Sequence, residues 1–170
     1  CGTFGKPARD WINDLANCGI GVWQFLPLAP PDSLGSPYSS PSSFAFNPWF
    51  LDEKDLVREG FLADNKGDLS YEIQDSDSSV DFQLANSKVR YLSSSLVETW
   101  EKQNANIKEE FDMWCEKQFW LEDHSIFMEL RFQNNNLPWW EWPEKFAAYD
   151  KKEIANWKKN NEKNLLGHNL

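Results

Sequence analysis

Residues 18–30 read CGIGVWQFLPLAP, and the reading of Val22 to Leu28 within them decides the class of fold. This apolar run is bounded by Gly21 and closed by Pro27 near its end, the pattern of a strand buried on both faces and parallel to its neighbours. Upstream, Trp11, Leu15 and Cys18 recur at intervals of four and three, with Ile12 beside them, so one stripe of a helix from Pro7 to Cys18 is apolar. Pro7 suits a first helical position and Gly19 a C-terminal cap. Helix, glycine turn and buried strand make half of a β/α repeat, and the expected class is α/β.

Downstream of the run, Ala29 to Pro48 is too rich in Pro, Ser and Gly for a regular helix. Within it begins GSPYSSPSSFAFNPWFLD, residues 35–52, in which Tyr38 is framed by prolines and serines. Ligand sites in α/β folds lie beyond the carboxyl ends of strands, so a stiff loop in this place is the first candidate for a site. Asn47 before Pro48 is expected to fix a turn. Ser36, Ser39, Ser40, Ser42 and Ser43 read as turn formers, because the chain has no G-x-S-x-G elbow and its histidines, His124 and His168, lie far off in sequence.

Beyond Asp52 the chain becomes charged and helix-periodic. A polar, irregular stretch DNKGDLSYEIQDSDSS at 64–79 precedes a helix marked by Phe82, Val89, Leu92, Leu96 and Trp100, with Asp81 as its cap. Ile107, Phe111, Trp114 and Gln118 mark another, and Leu121 to Phe132 a third. LPWWEWPEKF at 137–146 interrupts the helices, and Asp150 with Glu153 has the form of a capping box before a last helix carrying Ile154 and Trp157. No second strand and no internal repeat is legible.

Lys and Arg number 17 against 27 Asp and Glu, for a net charge of −10, which disfavours nucleic acid and anionic membranes as partners. No stretch approaches the roughly 20 apolar residues of a membrane helix, and no basic-then-apolar leader opens the chain, so the expected compartment is the cytoplasm. Cys1, Cys18 and Cys115 are widely spaced and read as reduced thiols; neither they nor the histidines have metal-ligand spacing. The glycines fit neither a dinucleotide nor a phosphate loop, so no cofactor and no metal is expected. Asp52, Glu53 and Asp55, like Glu122 and Asp123, read as helix-terminal charges. Ten tryptophans exceed the usual needs of packing, and their flat faces suit sugar rings as well as cores. PWWEWP at 138–143 is a sugar platform or a packed hinge, with the hinge favoured on chemistry alone.

Three stretches in order resemble the 4-alpha-glucanotransferases of the amylomaltase or disproportionating-enzyme family. They are GTFG at 2–5 with the helix and VWQFLPLAP after it, GSPYSSPSSFAFNPWFLD, and FWLEDHSIFMELRFQNNNLPWWEWPE at 119–144. The resemblance implies the incomplete N-terminal part of a (β/α)8 barrel, with residues 1–52 a barrel segment holding the second strand. Residues 53–170 are then a largely helical insertion before the third. It also implies transfer of α-1,4-glucan segments between malto-oligosaccharides and glucose with retention of configuration and no cofactor. The catalytic carboxylates of such enzymes lie on later strands, so none is assigned here, and the chain alone is expected to be inactive. Tyr38 takes the place of the ring that lies against the donor-side sugar, and Ser36 points toward the substrate. Two departures stand out: Phe46, where the family commonly has glycine, and His124, where tyrosine is frequent. The competing reading is a non-catalytic glucan-binding or accessory protein.

Overall fold

The computed structural model describes residues 2–32, 34–63 and 80–170; Cys1 and the polar stretch at 64–79 lie outside the described residues. The chain divides into two compact units, Cys1–Ser95 and Leu96–Leu170.

The first unit opens with α1, Lys6–Asn17, which carries Pro7 in its first turn, where a missing N–H costs nothing. It ends as the sequence predicts: Gly19 takes φ 76°, Gly19 N–H donates to Ala16 C=O at 2.9 Å and Ile20 N–H to Leu15 C=O at 2.9 Å. This doubled reverse bond satisfies carbonyls that the helix end leaves open, and it needs the left-handed residue that glycine supplies. Two further helices follow: α2, Glu53–Arg58, and α3, Phe82–Trp100. Asp52 caps α2 by accepting from Asp55 N–H at 3.0 Å, and Asp81 caps α3 by accepting from Leu84 N–H at 2.9 Å.

The strand expected at 22–28 is not formed among the described residues. The segment is extended, yet no strand ladder forms among the described residues, and Val22 is 86% exposed. An extended backbone is held by the N–H and C=O groups of a neighbour, and one bond, from Asn47 N–H to Leu28 C=O at 2.7 Å, does not make a ladder. What the run does have is ring contact. Trp23 meets Trp11 of α1 edge-on at 6.4 Å, and Phe25 lies 5.2 Å from Trp23. The apolar pattern marks a segment suited to burial without saying what buries it.

The second unit is helical throughout its regular elements: α4 (Ala105–Lys117), α5 (Leu121–Gln133), α6 (Glu144–Ala147), α7 (Lys151–Asn160) and α8 (Glu162–Asn169). Its core joins Ile126 and Leu130 of α5, Trp142 and Ile154, with Phe127, Phe146, Trp157 and Leu165 packed round them. Trp142 fits there because its indole N–H donates to Leu137 C=O at 2.9 Å, which removes the cost of burying a donor. Asp150 caps α7 by accepting from Lys152 and Glu153 N–H. The expected capping box is half made, since the Glu153 carboxylate turns to Lys145 at 3.1 Å.

A polar cluster crosses this apolar core. Glu129 is 4% exposed; its Oε1 accepts from Gln133 and Asn164, each at 2.8 Å, and His168 Nε2 lies 3.0 Å from its Oε2. Gln133 also donates to Asn161 Oδ1 at 2.7 Å and accepts from the Trp157 indole at 3.0 Å. A buried carboxylate is tolerable only when its lone pairs are filled in this way. Among the described residues, no helix is long and apolar enough to cross a membrane.

Candidate functional site

The loop after the apolar run is built from short polar staples. Asp32 is the first. Its Oδ1 accepts from Leu34 N–H at 2.9 Å and Ser36 N–H at 2.8 Å, while its own N–H donates to Ser36 C=O at 3.1 Å. Gly35 N–H closes the turn on Asp32 C=O at 3.1 Å, with Gly35 at φ 83°. An Asp three residues before a Gly is a turn signal with a mechanism, and Asp32 with Gly35 has that spacing.

Ser36 leads into a single 3-10 turn, Pro37–Ser39, whose φ is preset at Pro37. Tyr38 sits at its centre and is 74% exposed. Ser40 and Ser42 act as turn formers: Ser40 Oγ donates to Ser42 C=O at 2.6 Å, and Ser42 Oγ accepts from Phe44 and Ala45 N–H. Asn47 is buried and fixes the next turn. Its N–H donates to Leu28 C=O at 2.7 Å, and its Oδ1 accepts from Trp49 N–H at 3.0 Å. Phe46 keeps a negative φ and is 70% exposed, so its side chain imposes no left-handed strain.

The first turns of α3 clamp this loop from outside. Trp49 stacks on Phe82 at 5.3 Å, and its indole N–H donates to Asn86 Oδ1 at 3.0 Å. The same Phe82 ring fills the space beside Gly35, where an added Cβ would collide with it. Lys88 Nζ donates to Leu51 C=O at 2.5 Å and Trp49 C=O at 3.4 Å. Burial pushes the Lys88 ammonium below its ordinary pKa, against the pull of Asp52 and Glu53. None of these three α3 residues was legible as a site residue, because their role is set by a partner more than thirty residues away.

At the other edge, Thr3 Oγ1 donates to Asp52 Oδ2 at 2.6 Å and Phe4 N–H to Phe50 C=O at 2.8 Å. Arg9 forks onto both oxygens of Asp55, at 2.5 and 3.0 Å, and Arg58 joins it at 2.6 Å. The Arg9 guanidinium holds the Asp55 carboxyl below its ordinary range. These carboxylates are caps and ion-pair partners, as are Glu122, paired with Lys158, and Asp123, which accepts from Tyr149. Among the described residues, no three His, Cys, Asp or Glu side chains are placed to hold a metal. In the second unit, Trp142 of PWWEWP is in the core, while Trp139 and Trp140 meet edge-on at 5.7 Å with exposed rings.

The fold is shared with a solved amylomaltase from Streptococcus agalactiae in complex with acarbose: TM-score 0.83, 21% identity, 98% of this chain and 34% of that one. A family model described as 4-alpha-glucanotransferase matches residues 1–170, and the chain belongs to that family. Among curated relatives, the 4-alpha-glucanotransferase of Synechocystis is 30% identical over 161 residues, covering 92% of this chain and 31% of the relative. That of Thermus thermophilus is 33% identical over 147 residues, covering 84% and 28%. The chain therefore spans about a third of the length of the relatives it matches.

Proposed function

We propose that this chain is the part of a 4-alpha-glucanotransferase that presents Tyr38 to the donor-side sugar of a malto-oligosaccharide. The reaction is transfer of an α-1,4-glucan segment, with retention, to another malto-oligosaccharide or to glucose, in the cytoplasm and without a cofactor. In this reading residues 1–52 belong to the barrel and 53–170 to the insertion between its second and third strands. The observation that carries the proposal is the stapled loop. Asp32, Asn47 and the α3 clamp hold the turn around a ring that is itself open to solvent. An aromatic face fixed in this way favours one sugar pose, and orientation of the reacting bond is worth several kcal/mol of barrier only when the pose is held. Ser36, pinned through its backbone, stands beside the ring as the second substrate residue.

In the double displacement of such enzymes, one carboxylate attacks the anomeric carbon while a protonated partner assists the leaving glucan. A sugar hydroxyl then resolves the covalent intermediate. Those carboxylates are assigned to no residue of this chain. The test compares glucose release from maltotriose by the 170-residue chain and by the product of the whole reading frame that contains it. The chain alone is expected to be silent and the longer product active. In the longer product Tyr38→Ala lowers the rate strongly at an unchanged melting temperature. Unchanged kinetics in that variant, or turnover by the chain alone, overturns the reading.

A further inference from the structure

We propose that the cleft beside Tyr149 in the second unit is an additional binding site, shaped for one neutral sugar ring at the end or turn of a glucan. The cleft has a volume of about 240 Å³, and its lining includes Glu122, Ile126, Tyr149, Lys151, Ile154 and Lys158. That is below the ~300–1,000 Å³ of pockets that enclose drug-sized ligands, so a single ring suits it better than a long chain.

Tyr149 occupies a position that calls for glycine. It follows α6 with φ 51°, and the reverse bonds of a helix end surround it: Tyr149 N–H donates to Phe146 C=O at 3.1 Å and Asp150 N–H to Lys145 C=O at 2.9 Å. Glycine adopts this left-handed backbone without steric cost and tyrosine does not, so helix termination alone gives no reason for a large ring here. The ring is also tethered at its far end, where the hydroxyl donates to Asp123 Oδ1 at 2.7 Å. That bond, the surrounding burial and the Asp123 charge hold the phenol neutral up to about pH 12. A ring strained at its backbone and tied at its tip stays about half exposed over the cleft.

The surroundings choose the ligand class. Ile126 and Ile154 form a floor that is already buried, so an apolar peptide would gain little area. The polar part of the lining is Glu122, paired with Lys158, and Lys151. An anion must compete with Glu122 for Lys158 and a cation with Lys158 for Glu122, whereas a neutral polyhydroxylated ring takes both signs as hydrogen-bond partners and lays its C–H face on the tyrosine. The choice of an α-1,4-glucan among neutral sugars rests on the function proposed above.

The test titrates the isotope-labelled 170-residue chain with maltoheptaose and follows the Ile126 and Ile154 methyls and the Tyr149 and Tyr38 rings by NMR. Saturable shifts of the Ile126, Ile154 and Tyr149 signals are expected. Tyr149→Gly should weaken this response about tenfold, the loss of one good stacking contact. The same variant relieves the backbone strain and so should keep its unfolding midpoint. Tyr149→Phe, which keeps the ring and loses the tether, should bind between the two. Unmoved cleft signals, a Tyr149→Gly variant that binds like the parent, or a cleft that answers to inorganic phosphate and not to the glucan would each overturn the proposal. Shifts confined to Tyr38 would overturn the cleft and leave the proposed function standing. Shifts confined to the cleft would support it and leave Tyr38 to the kinetic assay.

Discussion

In the unit Leu96–Leu170 Trp142 is 7% exposed, whereas in the unit Cys1–Ser95 Trp23 is 47% exposed and Leu26 is 59% exposed. Both sit in apolar, proline-punctuated stretches. The difference lies in the backbone. A helix satisfies its own N–H and C=O groups, so α5, α7 and α8 need only side-chain packing to close a core. The extended run at 22–28 needs a second strand before burial of its side chains is possible. The first unit joins polar clamps at specific atoms to the scattered buried residues Ala45, Leu62 and Leu92, and the second is held by one apolar cluster crossed by a buried carboxylate.

The sharpest way to break this contrast is a pair of truncations read by chemical denaturation. Trp142→Ala is expected to cost about 3–5 kcal/mol, the usual loss for a buried tryptophan, and Trp23→Ala less than about 1 kcal/mol. Equal losses would mean that the first unit has a core of the same quality. Next in size is Glu129→Leu, which strands the donors of Gln133, Asn164 and His168 and is expected to cost about 2–3 kcal/mol. Glu129→Gln, which keeps an acceptor, should recover part of that; if leucine is tolerated, the polar cluster is ornament to the apolar one. Lys88→Met removes the clamp on Leu51 and Trp49 and is expected to cost about 1 kcal/mol, the scale of one lost hydrogen bond. Its signature is faster hydrogen exchange at Phe50 and Leu51 with the amides of α5 unaffected.

The smallest effect is a pH slope. Burial, with the charge of His168 behind it, lowers the His124 pKa below the ordinary value of 6.5. The unfolded chain therefore binds a proton before the folded one does. The stability this neutral imidazole carries is whole above about pH 6.5 and is lost as the pH falls from there through the folded pKa. Urea midpoints taken at about pH 7.5 and pH 5.5 should differ less in His124→Phe than in the parent chain. An unchanged difference would assign the slope to other groups.

What was legible in the sequence follows the same division between local and distant causes. The stripe of α1, the Asp81 and Asp150 caps, the Gly19 ending and the Asn47 turn are decided within a few residues, and the amino acids themselves signal each of them. The Tyr38 loop was found by its prolines and by its likeness to a family. The strand expected at 22–28 has no ladder among the described residues, because a continuous apolar run records readiness for burial and not the presence of a partner. Glu129 was invisible for the opposite reason: a glutamate at that position reads as a solvated face, and its partners Asn164 and His168 lie on another helix. Lys88, Asn86 and Phe82 looked like ordinary helix residues because their contacts lie across the loop. Asp32 is legible in the sequence, since its D-x-x-G spacing is a local turn signal.

The edge where Gly5 meets Asp52 has a consequence for descent. A Cβ at residue 5 would run into the Asp52 carboxylate that caps α2 and receives the Thr3 hydroxyl. The second glycine of GTFG and the aspartate closing NPWFLD are therefore one constraint written at two distant places. A lineage that enlarges residue 5 must shorten residue 52 or abandon the cap, so the two positions should be inherited as a pair and drift together.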